Sequence, residues 1–150
     1  MDAIELIKQD HRNVERLFTD FLEMEDTEVD SREDLFQQIE TELNAHTEAE
    51  EKVFYPAMQS KAPEKVQESL REHTQVKQLL NELLDLDFDE DEFPIKFNKL
   101  MEDVLHHVEE EEAEDGILEI AQKSFDGQEL ARLGGEFQRV KESIEGEMAA

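Results

Sequence analysis

The sequence predicts an all-α fold, an antiparallel up-down-up-down four-helix bundle followed by a shorter C-terminal fifth helix. In five segments, apolar residues recur at alternating spacings of three and four, the period of amphipathic helices. The 150 residues include only five Gly and three Pro, too few for a turn-rich β fold, and 37% are hydrophobic, enough for a packed core. We therefore expect a single domain, with the bundle over about residues 2–122 and the packing helix over about residues 126–146.

The first two helices are expected over about residues 2–24 and about residues 31–60. Asp2 and Glu5 have the spacing of a capping box at the start of the first helix. The polar stretch Glu25–Asp30 is predicted to be the connecting loop. The apolar stripes of these two helices are Ile4, Ile7, Val14, Phe18, Phe21, Leu35, Ile39, Leu43 and Phe54.

Proline and aspartate mark the starts of the remaining helices. Pro63 fits the first turn of a third helix that ends near Leu84, and the acidic residues 85–92 form a loop. Pro94 is expected to open a fourth helix that Gly116 kinks, and Asp126 to cap the fifth. The apolar stripes are Val66, Val76, Leu80, Leu83, Phe97, Leu100, Val104, Leu118, Leu130, Leu133, Phe137, Val140 and Ile144.

The charge of the chain excludes several classes of partner. Asp and Glu outnumber Lys and Arg by 42 to 15, a formal net charge of −27. Binding of nucleic acid or of an anionic membrane surface needs a concentrated basic patch, so neither is expected as a partner. The absence of Cys excludes disulfides, thiolate zinc sites and thiol catalysis. With no leader-like or membrane-length apolar run, we expect a soluble cytoplasmic protein.

Polar residues interrupt the apolar stripes in each of the four bundle helices. Four of the five His lie on an apolar face, which independent placement would produce in roughly 3% of arrangements. Two glutamates follow a His by four residues, so each pair is stacked on one helix face. The resulting inward set is His11, His46, Glu50, His73, His107 and Glu111.

These six side chains are predicted to meet at one level of the bundle. Their distances from the predicted turns match to within about half a helical turn, with Glu50 close to the level of His73. A buried carboxylate is costly unless it is paired or binds a cation, and this donor set is too large for one tetrahedral zinc. Two metals about 3.5–4 Å apart would use all six residues. Imidazole and carboxylate suit iron, copper, nickel or zinc, and iron suits oxygen chemistry.

The chain resembles the hemerythrin family, specifically its His-His-Glu cation-binding domains. The resemblance lies in four motifs that follow one another along the chain: Asp10-His11-Arg12, a His-x-x-x-Glu motif that ends at Glu50, Glu72-His73, and a second His-x-x-x-Glu motif that ends at Glu111. It implies a non-haem diiron protein that binds O2 or a related small oxidant. One iron would lie with His11 and His46, and the other with His73 and His107. Glu50 and Glu111 would bridge the two irons beside an oxo or hydroxo group.

One position departs from the family pattern. Oxygen-carrying hemerythrins have a further His one turn after the third-helix His, where this chain has Lys77. Water, another side chain or His106 would have to fill that place, although His106 itself is expected on the surface. Alternatively, the Lys77 side chain would screen the site from solvent or donate a hydrogen bond to it. The open position favours reaction with O2, peroxide or nitric oxide, or metal sensing through an unidentified protein partner, over a protected carrier.

The residues around the site are expected to be mainly apolar. Tyr55 and Met58 are expected to pack in the core rather than to line an approach to the metals. A metal-free structural bundle is the alternative with the least support. The residues within about a turn of a ligand should form a dry pocket that limits proton access and iron loss. They are Val14, Leu43, Phe54, Leu80 and Val104.

Overall fold

The computed structural model describes residues 1–24 and 28–149, and over these ranges the chain is all-helical without strands. The predicted all-α bundle is confirmed. Residues 25–27 of the predicted loop Glu25–Asp30 lie outside the described residues. Among the described helices, none is long and apolar enough to cross a bilayer. The elements are α1 (Ala3–Glu23), α2 (Val29–Ala49), a π-helical turn (Glu50–Phe54), α3 (Tyr55–Met58), α4 (Pro63–Leu84), α5 (Glu92–Glu112), α6 (Ile117–Ser124) and α7 (Gly127–Ala149).

The start signals in the sequence form the expected local structures. The Asp2 side chain accepts a hydrogen bond from the Glu5 backbone N–H, and the Glu5 side chain accepts one from Asp2, which completes the capping box. The Asp126 side chain accepts from the Glu129 N–H at 2.8 Å and so caps α7. Pro63 is the first residue of α4, where its missing N–H costs no helical hydrogen bond.

The second predicted helix runs without a break through α2, the π-helical turn and α3. The π turn is closed by a hydrogen bond from the Tyr55 N–H to the Glu50 carbonyl, five residues back. Pro56 follows directly, and a proline inside a helix lacks an N–H and crowds the carbonyl four residues earlier. The wider turn accommodates Pro56 without ending the helix.

The fourth predicted helix is two helices, because the chain breaks after Glu112 rather than bending at Gly116. Asp115 has φ of 63°, in the left-handed region. A Cβ at Gly116 would lie 2.6 Å from the Glu110 carbonyl oxygen, so only glycine fits this close approach. The helix also begins at Glu92, two residues before Pro94.

Helix α7 packs against the bundle, and it is as long as the bundle helices, whereas the sequence predicts a shorter one. It has 23 residues and ends three residues beyond the predicted end. It contacts α1, α2 and the π-helical turn. A Cβ at Gly134 would lie 2.5 Å from the Met1 carbonyl oxygen, so this glycine allows α7 to approach the start of α1 closely.

The apolar core is divided into two clusters by a layer of polar residues. One cluster lies at the end that contains Ile4, Phe54, Met58 and Phe137. The other contains Val14 and Phe18 and an aromatic group formed by Phe21, Phe36, Phe93 and Phe97. Apart from the half-buried Val140 and Ile144, the predicted stripe residues are buried. The polar layer between the clusters holds the candidate site.

Candidate metal centre

All six predicted site residues lie together and are buried in the polar layer. Four of them, His11, His46, Glu50 and Glu111, offer ligand atoms within 4.8 Å of one another. Glu50 also forms a second such group with His73 and His107. The two groups therefore share the Glu50 carboxylate.

The imidazoles form two pairs. The ring centroids of His11 and His46 are 5.2 Å apart, and those of His73 and His107 are 5.0 Å apart. Each pair joins two antiparallel helices, α1 with α2 and α4 with α5. The bundle thus divides the site into two halves.

Each buried carboxylate connects the two halves. Glu50 Oε1 lies 3.1 Å from His46 Nε2 and 3.2 Å from His73 Nε2. Glu111 Oε1 lies 3.2 Å from His11 Nε2, and its Oε2 lies 3.3 Å from His107 Nε2. Each of the two carboxylates therefore contacts an imidazole from each half of the site.

The Nδ1 atom of each site imidazole is held by a carboxylate outside the cluster. The distances are 2.6 Å from His11 to Glu112, 2.7 Å from His46 to Asp10, 2.9 Å from His73 to Glu51 and 2.6 Å from His107 to Glu72. A hydrogen bond at Nδ1 fixes the ring and leaves Nε2 as the inward atom. These four outer carboxylates were not identified from the sequence, because each lies on a helix face next to the apolar stripe.

Tyr55 is a further member of the site, contrary to its expected packing role. Its hydroxyl donates to Glu111 Oε2 at 2.6 Å and lies 3.3 Å from both His73 Nε2 and His107 Nε2. In a regular α-helix Tyr55 would point about 140° away from Glu50, whereas the π-helical turn brings both side chains inward. Pro56 within an apolar helical pattern is the sequence signal that could have indicated this irregularity.

Ion pairing between imidazoles and carboxylates dominates the electrostatics of the cluster without metal. Burial by itself lowers the pKa of His46, but the adjacent carboxylates of Glu50 and Asp10 raise it to about 10. Burial opposes ionisation of Glu111, yet the neighbouring His107 and His11 hold the pKa of its carboxyl well below the usual range. Five inward atoms make no hydrogen bond: His11 Nε2, His46 Nε2, both oxygens of Glu50 and Glu111 Oε1. Four of them lie in the ion pairs described above, and Glu50 Oε2 has no such contact.

A metal ion would satisfy these atoms. Buried polar atoms without partners are rare, and neutral imidazole with carboxylate is a donor set for transition metals. The site therefore has the composition and geometry of a metal-binding site. His106, by contrast, is 65% exposed and pairs with Glu110 at 2.7 Å, and Lys77 is also exposed. Neither one fills the place of the additional family His.

The comparisons with known proteins agree with this geometry. A family model described as "Hemerythrin HHE cation binding domain" matches residues 2–115. A solved hemerythrin HHE cation-binding domain-containing protein from Mycobacterium kansasii is 25% identical, with a TM-score of 0.86 over 98% of this chain and 89% of that one. A protein named DNA nickase from Nostoc sp. is 29% identical over 146 residues, 97% of this chain. The chain spans 40% of the length of that relative.

Proposed function

The chain belongs to the hemerythrin HHE cation-binding domain family, and we propose that it is a non-haem diiron protein that binds O2 or a related small oxidant. The proposed ligands are His11, His46, Glu50, His73, His107 and Glu111. We also propose that the bundle and α7 form one domain, because α7 packs on α1, α2 and the π-helical turn.

One observation carries the proposal: the Nδ1 atom of each site imidazole is hydrogen-bonded from outside, while several atoms that face the interior of the cluster make no hydrogen bond. Each site imidazole is fixed from outside by a carboxylate, so its Nε2 is directed into the layer. Two of those Nε2 atoms and three carboxylate oxygens have no hydrogen-bond partner. Four of these five atoms lie in His–Glu ion pairs at 3.1–3.2 Å without hydrogen-bond geometry, so a cation between them would give each a better partner.

The residues of the chain control what reaches the centre. Iron, when bound, supplies the redox chemistry with small oxidants. The predicted lining residues Val14, Leu43, Phe54, Leu80 and Val104 are all buried. Their apolar side chains exclude water from the layer, which strengthens electrostatic interactions there. Tyr55 holds its proton on the hydroxyl that contacts Glu111, because burial raises the pKa of this phenol well above its usual value.

A second candidate function is reaction with peroxide or nitric oxide rather than reversible O2 binding. Position 77 is an exposed lysine, whereas the oxygen carriers have a further His there. The His73–His107 half therefore has one imidazole fewer than in those proteins. The Tyr55 hydroxyl is an additional polar group at this half. A metal with an open position and a hydrogen-bond donor nearby would favour turnover of a small oxidant. An iron or oxygen sensor that acts through a partner protein is a third alternative.

We do not propose DNA as a partner, although one relative is named DNA nickase. Binding to the phosphate backbone depends on neutralisation by Lys and Arg, and this chain has 15 of them against 42 Asp and Glu. A nicking assay on supercoiled plasmid with the iron-loaded protein tests this directly, and strand cleavage would contradict the small-molecule assignment.

Anaerobic loading with Fe(II), followed by elemental analysis and absorption spectroscopy, tests the proposed function. We expect about two iron atoms per chain and a visible spectrum that changes on exposure to O2 or azide. A spectrum that reverts when O2 is removed indicates reversible binding, whereas steady consumption of peroxide indicates an enzyme. Protein that binds no iron, with a melting temperature unaffected by Fe(II), would leave the metal-free structural bundle as the correct assignment.

A further inference from the structure

Helix α7 directs two side chains, one helical turn apart, at the same side of the site. The Phe137 ring is fully buried, with its centroid 5.9 Å from that of His46. Lys141 is also buried, and its Nζ donates to Asp10 Oδ1 at 2.5 Å. The other oxygen of Asp10 lies 2.7 Å from His46 Nδ1. Asp10 is therefore shared between a buried ammonium and a site imidazole.

Asp10 differs from the outer carboxylates of the other three imidazoles. The side chains of Glu112, Glu51 and Glu72 are 21%, 28% and 18% exposed, whereas that of Asp10 is 4% exposed. Water therefore screens the first three. Glu112 also contacts Arg12, but that guanidinium is more than half exposed. Among these described contacts, Asp10 is the outer carboxylate that a buried cation neutralises.

This pairing changes the donor strength of His46. A carboxylate that accepts a hydrogen bond from Nδ1–H increases the electron density at Nε2, so the imidazole becomes a better metal ligand. An ammonium on the other carboxylate oxygen competes for the same negative charge. Because Lys141 is buried, neither water nor salt screens this competition effectively. Glu42 at 3.4 Å and Glu145 at 3.9 Å help to keep the ammonium in place.

We propose that Lys141 is a positioning residue of the metal centre, which acts through Asp10 to fix the His46 ring and to weaken its donation from Nε2. The two halves of the site then differ: the His11–His46 half is electron-poorer than the His73–His107 half. Lys141 lies outside residues 2–115, the part that the family model matches. The effect on a bound metal rests on the proposed function, while the effect on the His46 ring does not.

The metal-free protein tests the effect on the ring. Proton NMR of protein labelled with ¹⁵N at histidine follows the His46 Nδ1 proton, which is expected in slow exchange because both partners are buried. In Lys141→Met this proton shifts downfield, because Asp10 no longer divides its charge between two donors. Lys141→Arg retains the wild-type position. Lys123→Met, which removes an exposed cation paired with Glu119, controls for net charge and also retains it.

The iron-loaded protein tests the effect on the metal. We expect Lys141→Met to retain two irons and to have a lower reduction potential than the wild type, because a stronger His46 donor favours Fe(III). Lys141→Arg and Lys123→Met should match the wild type. Lys141→Gln, which keeps a polar group in the site, replaces Lys141→Met if that variant does not fold.

Two results would overturn this proposal. One is an unchanged His46 proton and an unchanged potential in Lys141→Met. The other is an equal change in Lys141→Arg and Lys141→Met, which would assign Lys141 to packing alone. If no variant and no wild-type sample binds iron, the proposed function fails, and the NMR comparison still decides the role of Lys141.

Discussion

The Tyr55 hydroxyl donates a 2.6 Å hydrogen bond to Glu111 Oε2 across the centre of the bundle. Tyr55 follows the π-helical turn of the second helix, while Glu111 is in the last turn of α5. The contact links one of the two buried site carboxylates to the irregular turn that begins at the other, Glu50. The π-helical turn is therefore part of the site. Such turns are frequently found at functional sites.

Tyr55→Phe should destabilise the metal-free protein by about 1–3 kcal/mol, because it leaves a buried carboxylate oxygen without its donor. Metal affinity should fall by about 10–100-fold, the usual effect of removing a group that supports a metal ligand. Urea unfolding and competitive titration with a metal chelator measure the two effects. Unchanged values for both would mean that Tyr55 only packs, as the sequence pattern suggests.

His46→Ala and Glu50→Ala should abolish iron binding at one or both positions, because Glu50 contacts both halves of the site. His106→Ala is the matched control, since that imidazole is exposed and pairs only with the exposed Glu110 in the described structure. Its iron content should stay close to that of the wild type. Elemental analysis of the loaded variants makes the comparison. Greater iron loss in His106→Ala than in His46→Ala would mean that the assigned helix faces are wrong.

Two neighbouring glycines in α7 test its close approach to the bundle. A Cβ at Gly134 would lie 2.5 Å from the Met1 carbonyl oxygen and 2.9 Å from Ala3 N, whereas a Cβ at Gly135 meets nothing within 4 Å. Gly134→Ala should therefore destabilise the protein. Gly135→Ala should stabilise it by up to about 1 kcal/mol through helix propensity. Thermal unfolding measures both, and equal effects of the same sign would show that α7 does not pack as described.

The thermal stability of the metal-free and loaded forms should depend on pH in opposite ways. The His46 pKa is raised from 6.5 to about 10 in the fold, so its contribution to stability is complete below pH 6.5 and is lost as the pH rises towards 10. Metal binding requires the imidazole without that proton and therefore improves over the same range.

We expect the gain in melting temperature from Fe(II) to increase between about pH 6 and about pH 8. Glu111 does not obscure this trend, because its lowered pKa leaves it ionised throughout that range. Anaerobic thermal unfolding with and without Fe(II) at several pH values measures the gain. A gain that decreases as the pH rises would contradict the assignment of His46 as a ligand.

Helical periodicity was sufficient to predict the all-α bundle and to bring the six inward polar residues to one level. It works for them because five lie on regular α-helices and Glu50 is the first residue of the π-helical turn, so spacings of three and four still determine the face. It failed for Tyr55, because one π-helical turn changes the face of every residue after it. Periodicity also could not predict the contact between Asp10 and Lys141, because these residues are 131 positions apart in the sequence and lie on different helices.

The most direct test of the account is a crystal structure of the iron-loaded protein, with anomalous scattering recorded at the iron edge. We predict two anomalous peaks about 3.5–4 Å apart, one beside His11 and His46 and the other beside His73 and His107. Glu50 and Glu111 should lie between the peaks. A single peak, no peak, or iron only at the outer group of Glu72, His106 and Glu110 would contradict the account.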